Sequence, residues 1–131
     1  MFTIIFPVLN ERLRLESGVT RTVEYLRKIA FEDYEIIIVD NGSEDETPQI
    51  AEMLCQKYEK VRYERINVCG VGAAFRRGVE LSHGDVVGYM DIDLSTNIKH
   101  LGEAIHLFET QPQIEYINGS RFARESDTQG R

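Results

Sequence analysis

Ile36-Ile37-Ile38-Val39 is a run of β-branched aliphatics without a polar break, closed by Asp40. Such a run offers no solvated face, so it suits a strand covered on both sides, as in a parallel sheet flanked by helices. Parallel strands need long crossovers, usually helical, and the flanking sequence supplies them. Phe2 to Val8 is an apolar strand running into the polar Asn10-Glu11. A helix over about 18–30 follows, with Val19, Val23, Leu26 and Ala30 on one stripe and Ser17 as its N-cap. Thr47 and Pro48 open the next helix as N-cap and first-turn proline, with Ile50, Met53, Leu54 and Tyr58 on its stripe.

The alternation continues. Val61 to Ile66 carries charges on one face and reads as an edge strand. Gly70-Val71-Gly72 feeds a helix to about Ser82, with Gly84 as its breaker. Val86 to Met90 is a buried fourth strand. Asn97 caps a helix carrying Ile98, Leu101, Ile105 and Phe108, which Pro112 stops, and Ile114 to Ile117 is a fifth short strand. This order predicts an α/β fold with a doubly wound, mostly parallel sheet and helices on both faces. At 131 residues the chain is one domain. No apolar run approaches the roughly 20 residues of a bilayer crossing. The first residues lack the basic flank of a signal peptide, and a cytoplasmic location is expected.

Composition removes some functions. Fifteen basic against 22 acidic residues leave a net charge of −7, which argues against a nucleic-acid partner. Two cysteines without C-x-x-C spacing, Cys55 and Cys69, support neither a zinc site nor a disulfide framework. The Asn-Gly-Ser tripeptides at 41–43 and 118–120 read as strand-end turns rather than glycosylation sites.

In doubly wound sheets ligands bind beyond the carboxyl ends of the strands. Those ends carry Asn10-Glu11, Asp40 to Ser43, Asn67 to Gly72 and Asp91-Ile92-Asp93, so acids and glycines gather on one rim. Asp91 and Asp93, as i and i+2 at a strand tip, point the same way. Two like charges so close call for a cation, and carboxylate oxygens suit Mg²⁺ or Mn²⁺. Asp40 can cap the turn or accept hydrogen bonds from a base or ribose. Gly70 and Gly72 let backbone approach a phosphate, although the loop is neither a P-loop nor a full G-x-G-x-x-G. Of Arg76 and Arg77, one can reach a ligand while the other is a surface charge. His83, His100 and His106 read as surface or packing residues.

The motifs resemble a known family. Thr3-Ile4-Ile5-Phe6-Pro7-Val8-Leu9-Asn10-Glu11 is similar to the opening strand of family 2 glycosyltransferases with the GT-A, Rossmann-like fold. Ile37-Ile38-Val39-Asp40-Asn41-Gly42-Ser43-Glu44-Asp45 resembles their V-D-D-G-S-x-D signature, with Asn41 in place of the second aspartate. Asn67 to Ala74, Gly78, Gly84-Asp85 and Met90 to Leu94 resemble the N-x-G-x-G-A … G … G-D … D-x-D-L series. Ile92 stands where a small residue is usual, and a side chain that bulky turns into the core. Asn118-Gly119-Ser120-Arg121-Phe122 is similar to the G-S-R-F/Y of the dolichyl- and polyprenyl-phosphate sugar transferase branch.

The resemblance spans residues 3–122 and implies an inverting transfer of a sugar from a UDP- or GDP-sugar. The acceptor is a polyprenyl or dolichyl phosphate, or a saccharide as in cell-wall and surface polysaccharide synthesis. By motif, Pro7, Asn10 and Glu11 line the nucleoside pocket and Asp40, before Gly42 and Ser43, contacts the base. Gly72 and Ala73 pack under the nucleotide, with Arg76 an extra contact. Asp91, followed by Ile92, touches ribose or metal, Asp93 ligates the Mg²⁺ or Mn²⁺, and Ser120 and Arg121 face the donor or an acceptor phosphate. Residues 1–122 then form an incomplete nucleotide-sugar-binding domain and 123–131 a tail towards the acceptor side, with a longer protein at the cytosolic face of a membrane. A non-catalytic nucleotide-binding module is the rival reading. It is opposed by the missing lysine of receiver domains beyond Lys99; a nucleotidyltransferase with a similar sheet is a further alternative, opposed by the missing glycine-rich loop at Asn10-Glu11-Arg12-Leu13.

Overall fold

A computed structural model describes residues 1–68, 70–94 and 98–111. The chain divides into two units, residues 1–94 and 95–131. The first unit runs β1 (Phe2–Val8), α1 (Leu15–Lys28), β2 (Tyr34–Asp40), α2 (Thr47–Lys57), β3 (Val61–Arg65), α3 (Val71–Leu81) and β4 (Val86–Tyr89). The described part of the second is α4 (Lys99–Thr110), whose buried positions are Leu101 and Ile105. Among the described residues no helix is long and apolar enough to cross a membrane.

The sheet is parallel throughout, in the order β3-β2-β1-β4. β1 and β2 pair over their full lengths, from Phe2 against Tyr34 to Val8 against Asp40, and every residue of β2 is buried. The crossovers through α1 and α2 step one way across the sheet, and the one through α3 steps back past β1. Right-handed crossovers therefore put α1 and α2 on one face and α3 on the other. Under α3, Ile5, Ile37, Val39 and Ala74 form a core cluster. By strand alternation Ile4, Phe6, Ile36 and Ile38 face the opposite layer, and each is fully buried. Side chains of this kind contribute about 1.5–3 kcal/mol apiece.

Several local expectations are corrected. The first helix begins at Leu15, not near Gly18, and Arg14 rather than Ser17 is its N-cap, without a side-chain capping bond. Ala30 lies beyond this helix at φ 58°. In α2, Thr47 is inside the helix and Glu46 is the N-cap; the buried face is Thr47, Ala51 and Leu54, while Met53 is exposed. β4 is an edge of the described sheet, and none of its residues is fully buried. Gly84 is not the helix breaker, since α3 ends at Leu81; a Cβ there would stand 2.4 Å from the Thr3 hydroxyl, so close packing on β1 requires glycine. Among the described residues β3 is an edge strand, as the charge pattern predicts. The expected Asn97 cap and the strand at 114–117 lie outside the described residues.

Candidate functional site

The loops after β1 and β2 are joined by side chain–backbone hydrogen bonds. Asn10, at φ 52°, donates its backbone N–H to the Ser43 hydroxyl at 2.8 Å, and its side-chain oxygen accepts from the Glu44 N–H at 2.9 Å. The Glu11 N–H reaches the Thr47 hydroxyl at 2.9 Å, and the Arg12 N–H reaches Asp45 at 3.2 Å. Asp45 also accepts from the Thr47 N–H at 2.8 Å. This lattice fixes Asn10, Glu11 and Ser43 against one another. Neither role is visible from sequence alone, where Thr47 reads as a helix N-cap and Asp45 as the last residue of the second-strand motif.

Asp40 lies beneath that lattice with no exposed surface. Its Oδ1 accepts from the Gly42 N–H at 3.1 Å, the Ser43 N–H at 2.8 Å and the Ser43 hydroxyl at 2.7 Å. Its Oδ2 accepts from Tyr63 at 2.7 Å and faces Arg65 at 3.5 Å. The carboxylate thus shapes the turn from below, as the turn-capping alternative held. Gly42 sits at φ 94°, a conformation that side chains rarely adopt. Burial and the anionic acceptor push the Tyr63 hydroxyl up to about 12. With its amide turned so that the nitrogen faces the two carbonyls around it, Asn41 donates to Val68 at 3.2 Å and to Gly70 at 3.0 Å. This ties the loop before α3 to the end of β2.

That loop enters α3 through Gly70, at φ 118°, with no side-chain cap, so the first amides of the helix lack intrahelical partners. A Cβ added at Gly72 meets nothing within 4 Å, and the open space there is compatible with a ligand. Ala73 is half-buried. The two arginines of α3 separate: Arg77 binds Glu64 at 2.7 Å and Glu80 at 3.0 Å, whereas Arg76 is exposed.

The acidic turn differs from a strand tip. β4 ends at Tyr89, and Asp91-Ile92-Asp93 form a turn closed by the Leu94 N–H on the Asp91 carbonyl at 2.9 Å. Ile92 is buried, as its bulk predicts, and both aspartates are exposed. Arg14 stands 3.1 Å from Glu11 and 3.9 Å from Asp93. Burial pushes the Glu11 carboxyl above its ordinary value; Arg14 opposes this and Asp93 adds to it. Among the described residues no group of three ligating side chains could hold a metal unaided. A pair of carboxylates fits a hard cation that takes its other ligands from phosphate oxygens and water. Pro7 is half-buried near the end of β1. Ser120 and Arg121 lie outside the described residues. His83 belongs to the opposite end of the sheet, where its backbone N–H reaches Glu35 at 2.6 Å.

The sequence pattern of "Glycosyl transferase family 2" matches residues 3–130. Over 122 residues the chain is 35% identical to glycosyltransferase AglD of Haloferax volcanii, covering 92% of this chain and 19% of that protein. It is 33% identical over 137 residues to the dolichyl-phosphate beta-glucosyltransferase of Mus musculus, covering 96% of this chain and 42% of the relative. The chain therefore spans well under half the length of these relatives. Among solved structures, glucosyl-3-phosphoglycerate synthase from Mycobacterium tuberculosis, in complex with Mn²⁺, UDP and phosphoglyceric acid, superposes with a TM-score of 0.63 at 21% identity. The superposition covers 84% of this chain and 39% of that one, a likeness of fold.

Proposed function

The chain belongs to glycosyl transferase family 2, and from that premise we propose that it is the donor-binding part of an inverting glycosyltransferase. Its donor is a UDP- or GDP-sugar, and its acceptor a polyprenyl or dolichyl phosphate at the cytosolic face of a membrane. The observation that carries the reading is the rim itself. Asn10 and Glu11 are bonded to Ser43 and Thr47, and Arg14 links Glu11 to the Asp91–Asp93 turn. The acceptor class is favoured because curated relatives carry the name dolichyl-phosphate beta-glucosyltransferase.

In this reading Pro7, Asn10 and Glu11 line the nucleoside pocket, and Asp40 supports it by holding the Gly42-Ser43 turn. Gly72 and Ala73 leave room beneath the diphosphate for the first amides of α3 to face it. Arg76 adds a positive contact. Asp91 and Asp93 hold a divalent cation, Mg²⁺ or Mn²⁺, which when bound supplies positive charge for the leaving diphosphate. Ser120 and Arg121 serve the acceptor side. An acceptor phosphate is already anionic, so the chain needs no general base to activate it.

Calorimetry and thermal shift with UDP, GDP and their glucose, mannose and N-acetylglucosamine derivatives, with and without Mn²⁺, test this reading. Binding of one nucleotide that requires the metal and disappears in Asp93→Asn is expected. Failure of every nucleotide to bind, with or without metal, would overturn it.

A further inference from the structure

α1 starts against the acidic turn. A Cβ on Gly18 would stand 2.3 Å from the Ile92 carbonyl oxygen and 2.8 Å from its Cδ1, so the helix lies directly against both backbone and side chain of Ile92. Arg14 is four residues before Gly18 and lies on the same helix face. Its own carbonyl accepts the Gly18 N–H at 2.9 Å, and its N–H donates to the Glu11 carbonyl at 3.0 Å. The arginine backbone is therefore fixed, and its guanidinium sits between Glu11, at 3.1 Å, and Asp93, at 3.9 Å.

We propose that Arg14 is the resident counter-ion of this rim, a positioning residue that neutralises Asp93 until a divalent cation arrives with the donor. The inference rests on the donor-site reading above. A cation at Asp93 and a guanidinium 3.9 Å from the same carboxylate repel each other, so cation binding weakens the hold of Arg14 on Asp93. The cation alone then binds weakly. It binds better with a nucleoside diphosphate, whose negative charges repay the displaced contact. By thermodynamic linkage the nucleotide is held more tightly with the cation by the same factor. Arg14 thereby favours joint loading of metal and donor over a metal-charged empty site.

The test is calorimetric titration of Mn²⁺, without nucleotide, into wild type, Arg14→Gln, Arg14→Lys, Asp93→Asn and the Arg14→Gln/Asp93→Asn double variant. Arg14→Gln is expected to bind Mn²⁺ about three- to tenfold more tightly, near the lower figure because both partners are partly solvated. Arg14→Lys is expected to behave as wild type, and the double variant to show no gain. The gain in Arg14→Gln shrinks with added salt. Mn²⁺ affinity in Arg14→Gln equal to or below wild type, or a gain that survives loss of Asp93, overturns the proposal. Arg14 is exposed, so a melting temperature within about 3 °C of wild type is expected and certifies the fold. UDP and GDP titrations at saturating Mn²⁺ separate the two readings. Nucleotide binding with an unchanged Mn²⁺ affinity removes only the role of Arg14, whereas no metal or nucleotide binding by any form removes both.

Discussion

The Tyr63 hydroxyl donates to Oδ2 of Asp40 at 2.7 Å, so an edge strand of the sheet holds the carboxylate that ends its neighbour. Tyr63→Phe deletes that donor and leaves Oδ2 facing Arg65 at 3.5 Å. A loss of about 1–2 kcal/mol in urea unfolding is expected. Asp40→Asn costs more, because it removes the negative charge that accepts from Gly42, Ser43 and Tyr63 and turns an amide NH2 towards the Arg65 guanidinium where Oδ2 now stands. An unfolding midpoint unchanged in Tyr63→Phe would show the bond to be energetically empty.

Gly72 separates folding from binding. A methyl there meets open space, and alanine is the better helix former by about 1 kcal/mol. Gly72→Ala is expected to leave the melting temperature equal or slightly higher. Gly72→Leu keeps the fold but lowers nucleotide affinity at least about tenfold, by filling the space a ligand needs. Undiminished binding in Gly72→Leu would remove this glycine from the site.

Asn41→Asp replaces a donor with a carboxylate facing the carbonyls of Val68 and Gly70. The charged form is disfavoured in the fold, so the new carboxyl titrates above its unfolded value. The destabilisation is therefore largest near pH 7 and is relieved as pH falls, once the protonated acid can donate again. Hydrogen exchange at Val68 and Gly70 to Gly72, followed from pH 7 to pH 5, reads it directly. Equal protection in variant and wild type at pH 7 would refute the donor role of Asn41.

Glu35 is the buried acid at the other end of the sheet. Burial pushes its carboxyl up, but the His83 N–H, the Thr3 hydroxyl and Arg62 outweigh this and hold it below its ordinary 4.5. A depressed carboxyl contributes stability above its unfolded value and loses it as pH falls through its folded value. Glu35→Gln is thus expected to cost about 1–3 kcal/mol near pH 7 and progressively less below pH 4.5. A cost independent of pH in chemical denaturation would exclude the ionic part of this cluster.

The parts of the fold legible in the sequence were those governed by local pattern. The unbroken Ile36-Ile37-Ile38-Val39 run marked a doubly covered strand, and the charges of Val61 to Ile66 marked an edge. The apolar residues of β4 match those of a buried strand, yet in the described sheet β4 is an edge and none of its residues is fully buried, because its place depends on the crossover through α3. At the site, Asn10, Glu11, Asp40 and Asp93 were visible as polar residues following apolar runs. Tyr63 and Thr47 were not, since each joins the rim through a partner more than 20 residues away, and Arg14 was not, since its link to the acidic turn is equally distant in sequence. Ser17 is a good capping residue, which is why its position predicts a cap. The helix starts earlier, where Leu15 is buried and the Leu15 N–H reaches the Glu11 carbonyl.

β1 lies between β2 and β4, yet those neighbours are separated in the chain by α2, β3 and α3. During synthesis β1 can pair on one side early, but its other side stays open until Val86 to Tyr89 emerge. Closing so long a loop is entropically slow, and an open strand edge invites pairing with foreign chains. The acidic turn follows β4 immediately, so the proposed cation site is completed only in the step that seals this edge. A nascent or stalled chain lacking β4 would therefore be prone to aggregation and, on the proposed function, unable to take a donor, so that donor binding would report finished folding.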